Sequence, residues 1–408
     1  MLRGFTFKNF MSFYEENTFS MAAGPDTRFL ELNTIDTEYG ELLKSAFVFG
    51  ANGSGKTNFI KAMGCMKDIV LAELKSQSTM IKKLNSFAYN ENSRNMPSVF
   101  EVELIVGGIV YEYGFEVLNG EVCSEYLYKK TKRKTPIFLR TSPDFKDINL
   151  SKDMDNVKEL TKNTRRDTLF LYWANGGNNE IAMTVYRWFE SIQIFDANDT
   201  NSLLSATTGY IMENGKGSIL NLLQKADTNI LDFDIEMLKG EERKGTRWET
   251  EVYLTMKRNL YNSEWEMKGI VGTSVELESA GTRKLFEIAG PIIKALENGN
   301  VVFIDEIDAR LHPMLVRFLV MMFNSINNNP NNAQLICNTH DVLLLEEDIR
   351  RDQIYFTEKD EYGVSKLYAL TDFKGVRKES KLLKQYLLGM FGATPKLRDY
   401  FLTKGGQA

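Results

Sequence analysis

The chain has 408 residues, of which 43% are hydrophobic and 26% charged, a composition typical of a globular protein with a sizeable core. Fifty basic residues against fifty-five acidic ones give a net charge of −5, which excludes a uniformly basic nucleic-acid coat and leaves only local patches for such binding. The three cysteines lie far apart with no CxxC, which argues against a disulfide framework or a zinc site. No signal-peptide pattern and no apolar run of membrane-spanning length is visible, so we expect a cytoplasmic protein with no membrane partner.

The first predicted elements form a strand-rich half that surrounds one strong strand–turn–helix pattern. Residues 2–19 are rich in Phe and Tyr and predict one or two strands. The run Ser45-Ala-Phe-Val-Phe49 predicts a buried strand, and apolar spacing from Thr57 to about Lys75 predicts a helix. Alternation at period two, interrupted by glycine turns, predicts an antiparallel meander over residues 99–128.

The rest of the chain changes character twice. Residues 129–250 are polar with helix-length apolar segments, which predicts a mostly helical insertion. From residue 251 onward strands and helices alternate again, with Val301–Ile304 as a buried strand. We therefore predict an α/β fold divided into residues 1–128 and 251–408 of one nucleotide-binding core, with residues 129–250 inserted between them.

The most specific motif is the loop Gly50-Ala-Asn52-Gly53-Ser54-Gly55-Lys56-Thr57, which matches GxxxxGK[ST] in full. Its glycines allow backbone N–H groups to converge on phosphate oxygens, and the helix that follows adds its dipole. Lys56 is expected to reach the β and γ phosphates of ATP, and the Thr57 hydroxyl is expected to bind Mg²⁺. A chance glycine turn is the alternative, but the predicted strand before the loop and helix after it are the context that the motif requires.

The second motif is a carboxylate pair, Asp305-Glu306, at the end of the buried strand Val301–Ile304. After a phosphate-binding loop in the same chain, Asp305 is expected to support Mg²⁺, and Glu306 to orient and deprotonate the attacking water. An acidic pair after a strand can also simply begin a loop.

Two weaker motifs flank this pair. His340, in the sequence Asn-Thr-His-Asp after the next predicted strand, can donate to a γ-phosphate or position water. Ser279-Ala-Gly281-Thr-Arg precedes a predicted helix, where Ser279 is suited to an N-cap and Gly281 to a close backbone approach. Taken alone, that second pattern is explained as well by an ordinary helix start.

The order of these four motifs resembles that of ABC-type ATPases, in which SAGTR resembles the signature motif usually written LSGGQ. The resemblance implies that Ser279 and Gly281 cap the γ-phosphate bound to a second copy, so that a homodimer, or a higher oligomer built from it, encloses two ATP molecules. Asp308 resembles the D-loop acid of that family. The glutamine expected after the P-loop helix is missing from the stretch 87–92, which we expect to correspond to that loop and where an asparagine stands instead.

The opening FTFKNFMSF and the segment DEIDARLHP resemble the SMC, RecF and OLD group of these ATPases, and the closing stretch from Asp372 to Pro395 resembles stand-alone RecF-like ATP-binding proteins of phage-defence loci. This implies an ATPase that acts as sensor or scaffold for a separately encoded effector, a nuclease or toxin. The alternatives are a RecF-like DNA-binding ATPase of repair or recombination, with nucleic acid as partner, and the ATPase subunit of a transporter.

Overall fold

The structure is a computed structural model and describes residues 1–226, 229–239, 250–376 and 381–395. The strands are β1 (Leu2–Lys8), β2 (Asn17–Ser20), β3 (Thr34–Ile35), β4 (Leu42–Leu43), β5 (Ser45–Gly50), β6 (Ser98–Val106), β7 (Ile109–Leu118), β8 (Glu121–Lys130), β9 (Lys134–Arg140), β10 (Ile148–Leu150), β11 (Gln193–Asp196), β12 (Asp232–Lys239), β13 (Thr250–Tyr261), β14 (Met267–Ser274), β15 (Val301–Asp305), β16 (Gln334–Asn338), β17 (Ile354–Lys359) and β18 (Ser365–Ala369). The α-helices are α1 (Leu30–Asn33), α2 (Lys56–Leu71), α3 (Leu74–Lys82), α4 (Phe170–Gly176), α5 (Glu180–Ser191), α6 (Thr200–Asn214), α7 (Gly217–Lys225), α8 (Ala280–Asn298), α9 (Pro313–Asn324) and α10 (Leu382–Leu387). Short 3-10 helices span Glu91–Asn95, Phe145–Asp147, Lys152–Asn163, Val275–Leu277, Val342–Glu346, Arg351–Gln353 and Leu370–Asp372.

A six-stranded sheet forms the centre of the fold, in the order β11-β15-β16-β5-β17-β18. Its first five strands are parallel, and only β18 runs antiparallel to its neighbour. The carboxyl ends of the parallel strands therefore meet at one edge of the sheet, which is where α/β folds of this kind bind ligands.

The central sheet is covered on both faces because its strands send alternate apolar side chains into two cores. Ala46 and Val48 of β5 join a core with α2 and the antiparallel strands, whereas Phe47 and Phe49 join a second core with α6, α8 and α9. Continuous burial of β5 and β15 follows from this arrangement, and it explains why both read as unbroken apolar runs in the sequence. The α/β fold class predicted from the sequence is confirmed.

An antiparallel sheet in the order β10-β9-β8-β7-β6-β1-β2 packs beside the central sheet. The meander predicted over residues 99–128 is its middle part, but β8 continues to Lys130, and β9 and β10 extend the same sheet. A third sheet, β12-β13-β14, lies directly before α8.

Residues 129–250, predicted as a mostly helical insertion, contain the helices α4 to α7 but also the strands β9, β10, β11 and β12, of which β11 joins the central sheet. The domain boundaries at 128 and 250 stay a prediction, and residues 240–249 and 396–408 lie outside the described part of the chain. Among the described residues, no helix combines the length and the apolar character needed to cross a bilayer.

The helix predicted from Thr57 to about Lys75 is in fact two helices, α2 and α3. The buried side chain of Gln77 in α3 explains the break, because its Nε2 donates to the carbonyl oxygen of Ile69 in the last turn of α2 at 2.9 Å. A carbonyl at a helix end has no intrahelical partner, and here a side chain from the next helix supplies one.

Candidate nucleotide and metal site

The phosphate-type loop follows β5 and leads into α2, as the motif predicted. A Cβ on Gly50 would lie 2.6 Å from both the Ser54 hydroxyl and the carbonyl oxygen of Thr357 in the neighbouring strand β17. Gly55 has φ +120°, and a Cβ there would lie 2.6 Å from the Ser365 hydroxyl of β18. Both glycines are therefore required by close packing, whereas Asn52 and Gly53 form the exposed rim of the loop.

Hydroxyl groups from the segment after β1 and from β17 and β18 pack against the phosphate-type loop. Ser54 Oγ lies 2.6 Å from Thr357 Oγ1, and Ser365 Oγ donates to Ser12 Oγ at 2.9 Å. Asn58 in the first turn of α2 donates to the same Ser12 oxygen at 2.8 Å. The curvature of the loop is thus fixed by neighbours on β17, β18 and the segment after β1.

Lys56 is 94% buried and points back into the loop, where its Nζ donates to the carbonyl oxygens of Gly50 at 2.8 Å and Ala51 at 3.2 Å. Burial lowers its pKa, and the nearby carboxylates of Glu306, Asp305 and Asp308 oppose that shift. The ammonium is therefore held beside the loop, where phosphate oxygens can replace the two carbonyl groups as acceptors.

Thr57 and Asp305 come together although 248 residues separate them, because Thr57 opens α2 and Asp305 ends β15. Thr57 Oγ1 donates to Asp305 Oδ1 at 3.2 Å. Adjacent ligands of an octahedral Mg²⁺ lie roughly 3 Å apart, given bond lengths of about 2.1 Å. The two oxygens therefore fit neighbouring positions of a magnesium shell, whose other ligands would be phosphate oxygens and water.

Asn338, at the end of β16, holds the two carboxylate residues in place. Its Nδ2 donates to Asp305 Oδ1, and its Oδ1 accepts the backbone N–H of Glu306. Burial raises the pKa of Asp305 above its ordinary value, while the hydrogen bonds from Asn338 and Thr57 lower it and the charges of Asp196 and Glu306 raise it further. Asn338 opens the Asn-Thr-His-Asp motif, but its role as a partner of Asp305 and Glu306 has no signal in the sequence.

Glu306 has φ +55°, a left-handed conformation that is uncommon for a residue other than glycine and is often found at functional sites. Its carboxylate is half-buried and accepts a hydrogen bond from Asn198 Nδ2 at 2.7 Å. Asn198 lies in the loop after β11, the strand directly beside β15, and sequence reasoning missed it.

The correspondence of residues 87–92 to the loop that follows the P-loop helix in ABC-type ATPases stays a prediction. Within the described residues, no hydrogen bond joins residues 87–92 to Asp305 or Glu306; the Phe87 N–H donates to Asn9, and Asn90 caps a 3-10 helix. Gln77 is fully buried between Ile69 and Leu169, so it supports the packing of α3 instead of facing the site.

His340 follows β16 but its imidazole is exposed and makes no hydrogen bond in the part of the chain described by the structure. Its backbone N–H donates to both carboxylate oxygens of Asp308 at 3.2 Å. The structure thus places His340 at the same sheet edge as Asp305 without contact between the two side chains.

Ser279 caps the N-terminus of α8, as its position predicted, by accepting the N–H of Thr282 at 3.1 Å. The residue before it, Glu278, is bound by both terminal nitrogens of Arg258 on β13. A Cβ on Gly281 would lie 3.5 Å from the carbonyl oxygen of Arg310. In the described residues, no hydrogen bond joins Ser279 or Gly281 to the phosphate-type loop, and Ser279 is exposed.

The loop between the buried strand β5 and α2, together with an aspartate at the tip of β15, a parallel strand separated from β5 by β16, defines a P-loop ATPase fold. A family profile described as "AAA domain, putative AbiEii toxin, Type IV TA system" matches residues 45–346, well over half of the chain. The chain belongs to this family.

Two solved structures are similar to this chain at low identity. An SMC head solved bound to the C-winged helix domain of ScpA is 14% identical, with 90% of this chain and 97% of that chain covered and a TM-score of 0.41. CbiO1 from Clostridium perfringens, part of the ABC transporter complex CbiONQ, is 11% identical, with 84% and 87% covered and a TM-score of 0.29. No curated protein matches the chain at a significant level.

Proposed function

We propose that this chain binds ATP with Mg²⁺ and hydrolyses it to ADP and phosphate. The single observation that supports this most is the 3.2 Å contact between Thr57 Oγ1 and Asp305 Oδ1, beside the buried ammonium of Lys56. A hydroxyl, a carboxylate and a cation brought together at the end of a P-loop are the groups that a magnesium–triphosphate complex needs.

Each side chain has a separate task in this proposal. Lys56 and the N-terminus of α2 bind the β and γ phosphates, while Thr57 and Asp305 hold the metal. The bound magnesium would neutralise charge on the transferred phosphoryl group. Glu306 accepts the proton of the attacking water, and its strained backbone and the hydrogen bond from Asn198 fix the direction of its carboxylate. His340 is proposed to contact the γ-phosphate of the bound ATP.

We further propose that the active form is a homodimer in which each site is completed by the other copy. Ser279 and Gly281 begin a 19-residue helix whose N-terminus attracts anions, yet they make no hydrogen bond to their own loop within the described residues. An exposed serine at such a helix start is available to a phosphate bound by a second chain. A higher oligomer built from such dimers is compatible with this proposal.

The biological use that we favour is control of an effector protein in antiviral defence, with the ATPase as sensor or scaffold. The family description names a toxin and a type IV toxin–antitoxin system, and this wording supports the antiviral part of the proposal. The alternative, a RecF-like DNA-binding ATPase, is tested by titrating duplex DNA against salt. Submicromolar affinity that falls steeply with salt would favour DNA as the partner, and weak binding would favour the effector.

Mixing two inactive variants tests the shared site directly. Lys56→Ala disables the loop and Ser279→Arg blocks the helix start, so each homodimer should lack ATPase activity. In a mixed dimer, one site carries both defects and the other carries neither, and we expect activity to return in the mixture.

Two controls make this mixture informative. Each variant is also mixed with itself at the same total concentration, and Ser279→Arg is checked for ATP binding by calorimetry, which should be unchanged. Activity that stays absent in the mixture, or full activity of Ser279→Arg alone, would show that the site is not shared between copies.

A further inference from the structure

A buried ion pair on α8 lies against the start of α6. Lys284 and Glu287 stand one turn apart on α8 and are only 1% and 8% exposed, and Lys284 Nζ donates to Glu287 Oε2. Thr200, the first residue of α6, contacts both members of the pair. Its Oγ1 donates to Glu287 Oε2 at 3.3 Å and accepts from Lys284 Nζ at 3.5 Å, so the pair holds the beginning of α6.

The segment that leads into α6 is the one that reaches the carboxylate of Glu306. At its first end, the Ala197 N–H donates to the carbonyl oxygen of Asp305 at 2.9 Å. At its other end, the Thr200 N–H donates to the carbonyl oxygen of Asn198 at 3.0 Å. The side chain of Asn198, which donates to Glu306 at 2.7 Å, therefore lies between an attachment to β15 and an attachment to the ion pair on α8.

The helices α6 and α8 are also joined by neutral groups further along. Pro291 in α8 has no N–H, which leaves the carbonyl oxygen of Glu287 without its helical partner, and Thr207 Oγ1 of α6 donates to that oxygen at 2.7 Å. The same Thr207 oxygen accepts the Gly290 N–H at 3.0 Å, and a Cβ on Gly290 would collide with the Thr207 backbone. Close packing and these hydrogen bonds join the two helices without any charge.

A buried ion pair is therefore not explained by the packing of α6 on α8. Two buried charges lose their hydration, and apolar side chains of similar volume are often at least as stabilising in the same place. What a charged pair adds is direction, because hydrogen bonds to charged groups are stronger than those between neutral groups. Here the pair binds the Thr200 hydroxyl both as donor and as acceptor, which fixes its rotamer and the end of the loop before it.

We propose that Lys284 and Glu287 are positioning residues, which hold Thr200 and through it direct Asn198 onto the carboxylate of Glu306. The effect on turnover rests on the proposed ATPase function, whereas the effect on the loop does not. Neither member of the pair has a task in binding nucleotide or metal, so the affinity for Mg-ATP should not depend on them.

Replacing both charges together tests the proposal without leaving one of them unpaired. Lys284→Met with Glu287→Leu should lower kcat by about 3- to 10-fold, as expected of residues that act through a neighbour, and should leave KM for ATP and the melting temperature unchanged or the melting temperature raised. The matched control is Lys294→Met with Glu213→Leu, an exposed pair 3.8 Å apart on the same two helices, which should keep the wild-type kcat. A wild-type kcat in the Lys284 and Glu287 double variant would overturn the proposal.

Variants of Thr200 test the same contact without altering a buried charge. Thr200→Val lacks the hydroxyl and should lower kcat, whereas Thr200→Ser keeps the hydroxyl and should turn over at close to the wild-type rate. Combined with Asn198→Ala, Thr200→Val should lower kcat little further, because both changes act on Glu306 by the same route. Losses that multiply independently would mean that Thr200 supports only the fold, and would overturn the proposal.

Hydrogen exchange without nucleotide separates this inference from the proposed function. Mass spectrometry of peptides that cover residues 197–200 should show several-fold faster exchange in Thr200→Val than in the wild type or Thr200→Ser, because the attachment of the loop to α8 is lost. A wild type that does not hydrolyse ATP would contradict the proposed function, and this measurement would still decide whether the pair holds the loop. Unchanged exchange in Thr200→Val would overturn the inference even if the wild type is an active ATPase.

Discussion

The side chain of Asn198 donates to the carboxylate of Glu306 at 2.7 Å, although 108 residues separate them in sequence. Asn198→Ala should leave Glu306 without this partner and lower kcat by roughly tenfold, with little change in KM, because a misdirected general base slows only the chemical step. Asn201→Ala, an exposed asparagine in the first turn of α6, serves as control and should keep the wild-type rate.

A second variant at the same position separates positioning from simple loss of structure. Asn198→Asp sets a second carboxylate beside Glu306, and like charges raise the pKa of a carboxyl group. The acid limb of the pH–rate profile should therefore move to higher pH. An unmoved limb with reduced activity would mean that Asn198 only maintains the loop after β11.

Lys56→Ala should weaken ATP binding by roughly 10- to 100-fold, the usual value of about 1.5–3 kcal/mol for a hydrogen bond to a charged group. Lys61→Ala is the matched control, because Lys61 lies one turn further along α2 and is exposed. Calorimetric titration with Mg-ATP measures both. Equal affinity of the Lys56 variant and the wild type for Mg-ATP would show that the loop does not bind the phosphates.

Glu306→Gln should accumulate an ATP-bound dimer, since glutamine keeps the shape of the side chain and can still accept from Asn198, but cannot take a proton from water. Hydrolysis should slow by about 100-fold or more. Asp305→Asn should behave differently and weaken Mg²⁺-dependent binding itself, so light scattering in ATP should detect a dimer for the first variant only. Wild-type turnover by the Glu306 variant would contradict its role as general base.

The pKa of Asp305 gives a prediction for stability against pH. Because burial raises this pKa in the folded state, the native protein retains the proton to higher pH than the unfolded chain. Ionisation of this carboxyl therefore lowers the free energy of unfolding as pH rises from its unfolded pKa through its folded pKa. Without nucleotide or Mg²⁺, Asp305→Asn should melt at a higher temperature than the wild type near pH 7, and the gap should shrink as the pH falls towards 4.

Calorimetry in the presence of a chelator, at several pH values, measures the melting temperatures of the wild type and of Asp305→Asn and so tests this prediction. Mg-ATP should reverse the order, because only the wild type gains stability from the bound metal. A wild type that melts above the variant at pH 7 in the chelator would show that Asp305 is not destabilised by its burial.

The loop from Gly50 to Thr57 and the strand that ends in Asp305 were predictable because their signals are local. A buried apolar run, a glycine-rich turn and helical spacing lie within some thirty residues, and the end of a buried strand fixes where Asp305 must be. The N-cap at Ser279 was predictable for the same reason, since its bond to Thr282 spans three residues.

Asn198 was not predictable, because its position depends on which strand lies next to β15. The strand β11 has only four residues, and none of them is fully buried, so it has little of the apolar run that identifies β5 and β15. An asparagine in the stretch 87–92 was the expected site residue, because that stretch follows the P-loop helix in the sequence. Only the parallel pairing of β11 with β15 brings residue 198 to Glu306.

The contact between Ser12 and Ser365 behind the phosphate loop also has a consequence for synthesis of the chain. The two residues are separated by 353 positions, and Thr357 supports the loop from the same side. A ribosome translates at about 5–20 residues per second, so the strand–loop–helix unit is made many seconds before the hairpin that supports it. Nucleotide should therefore not bind firmly to a nascent chain until β17 and β18 have left the ribosome, about 300 residues after the loop itself is made.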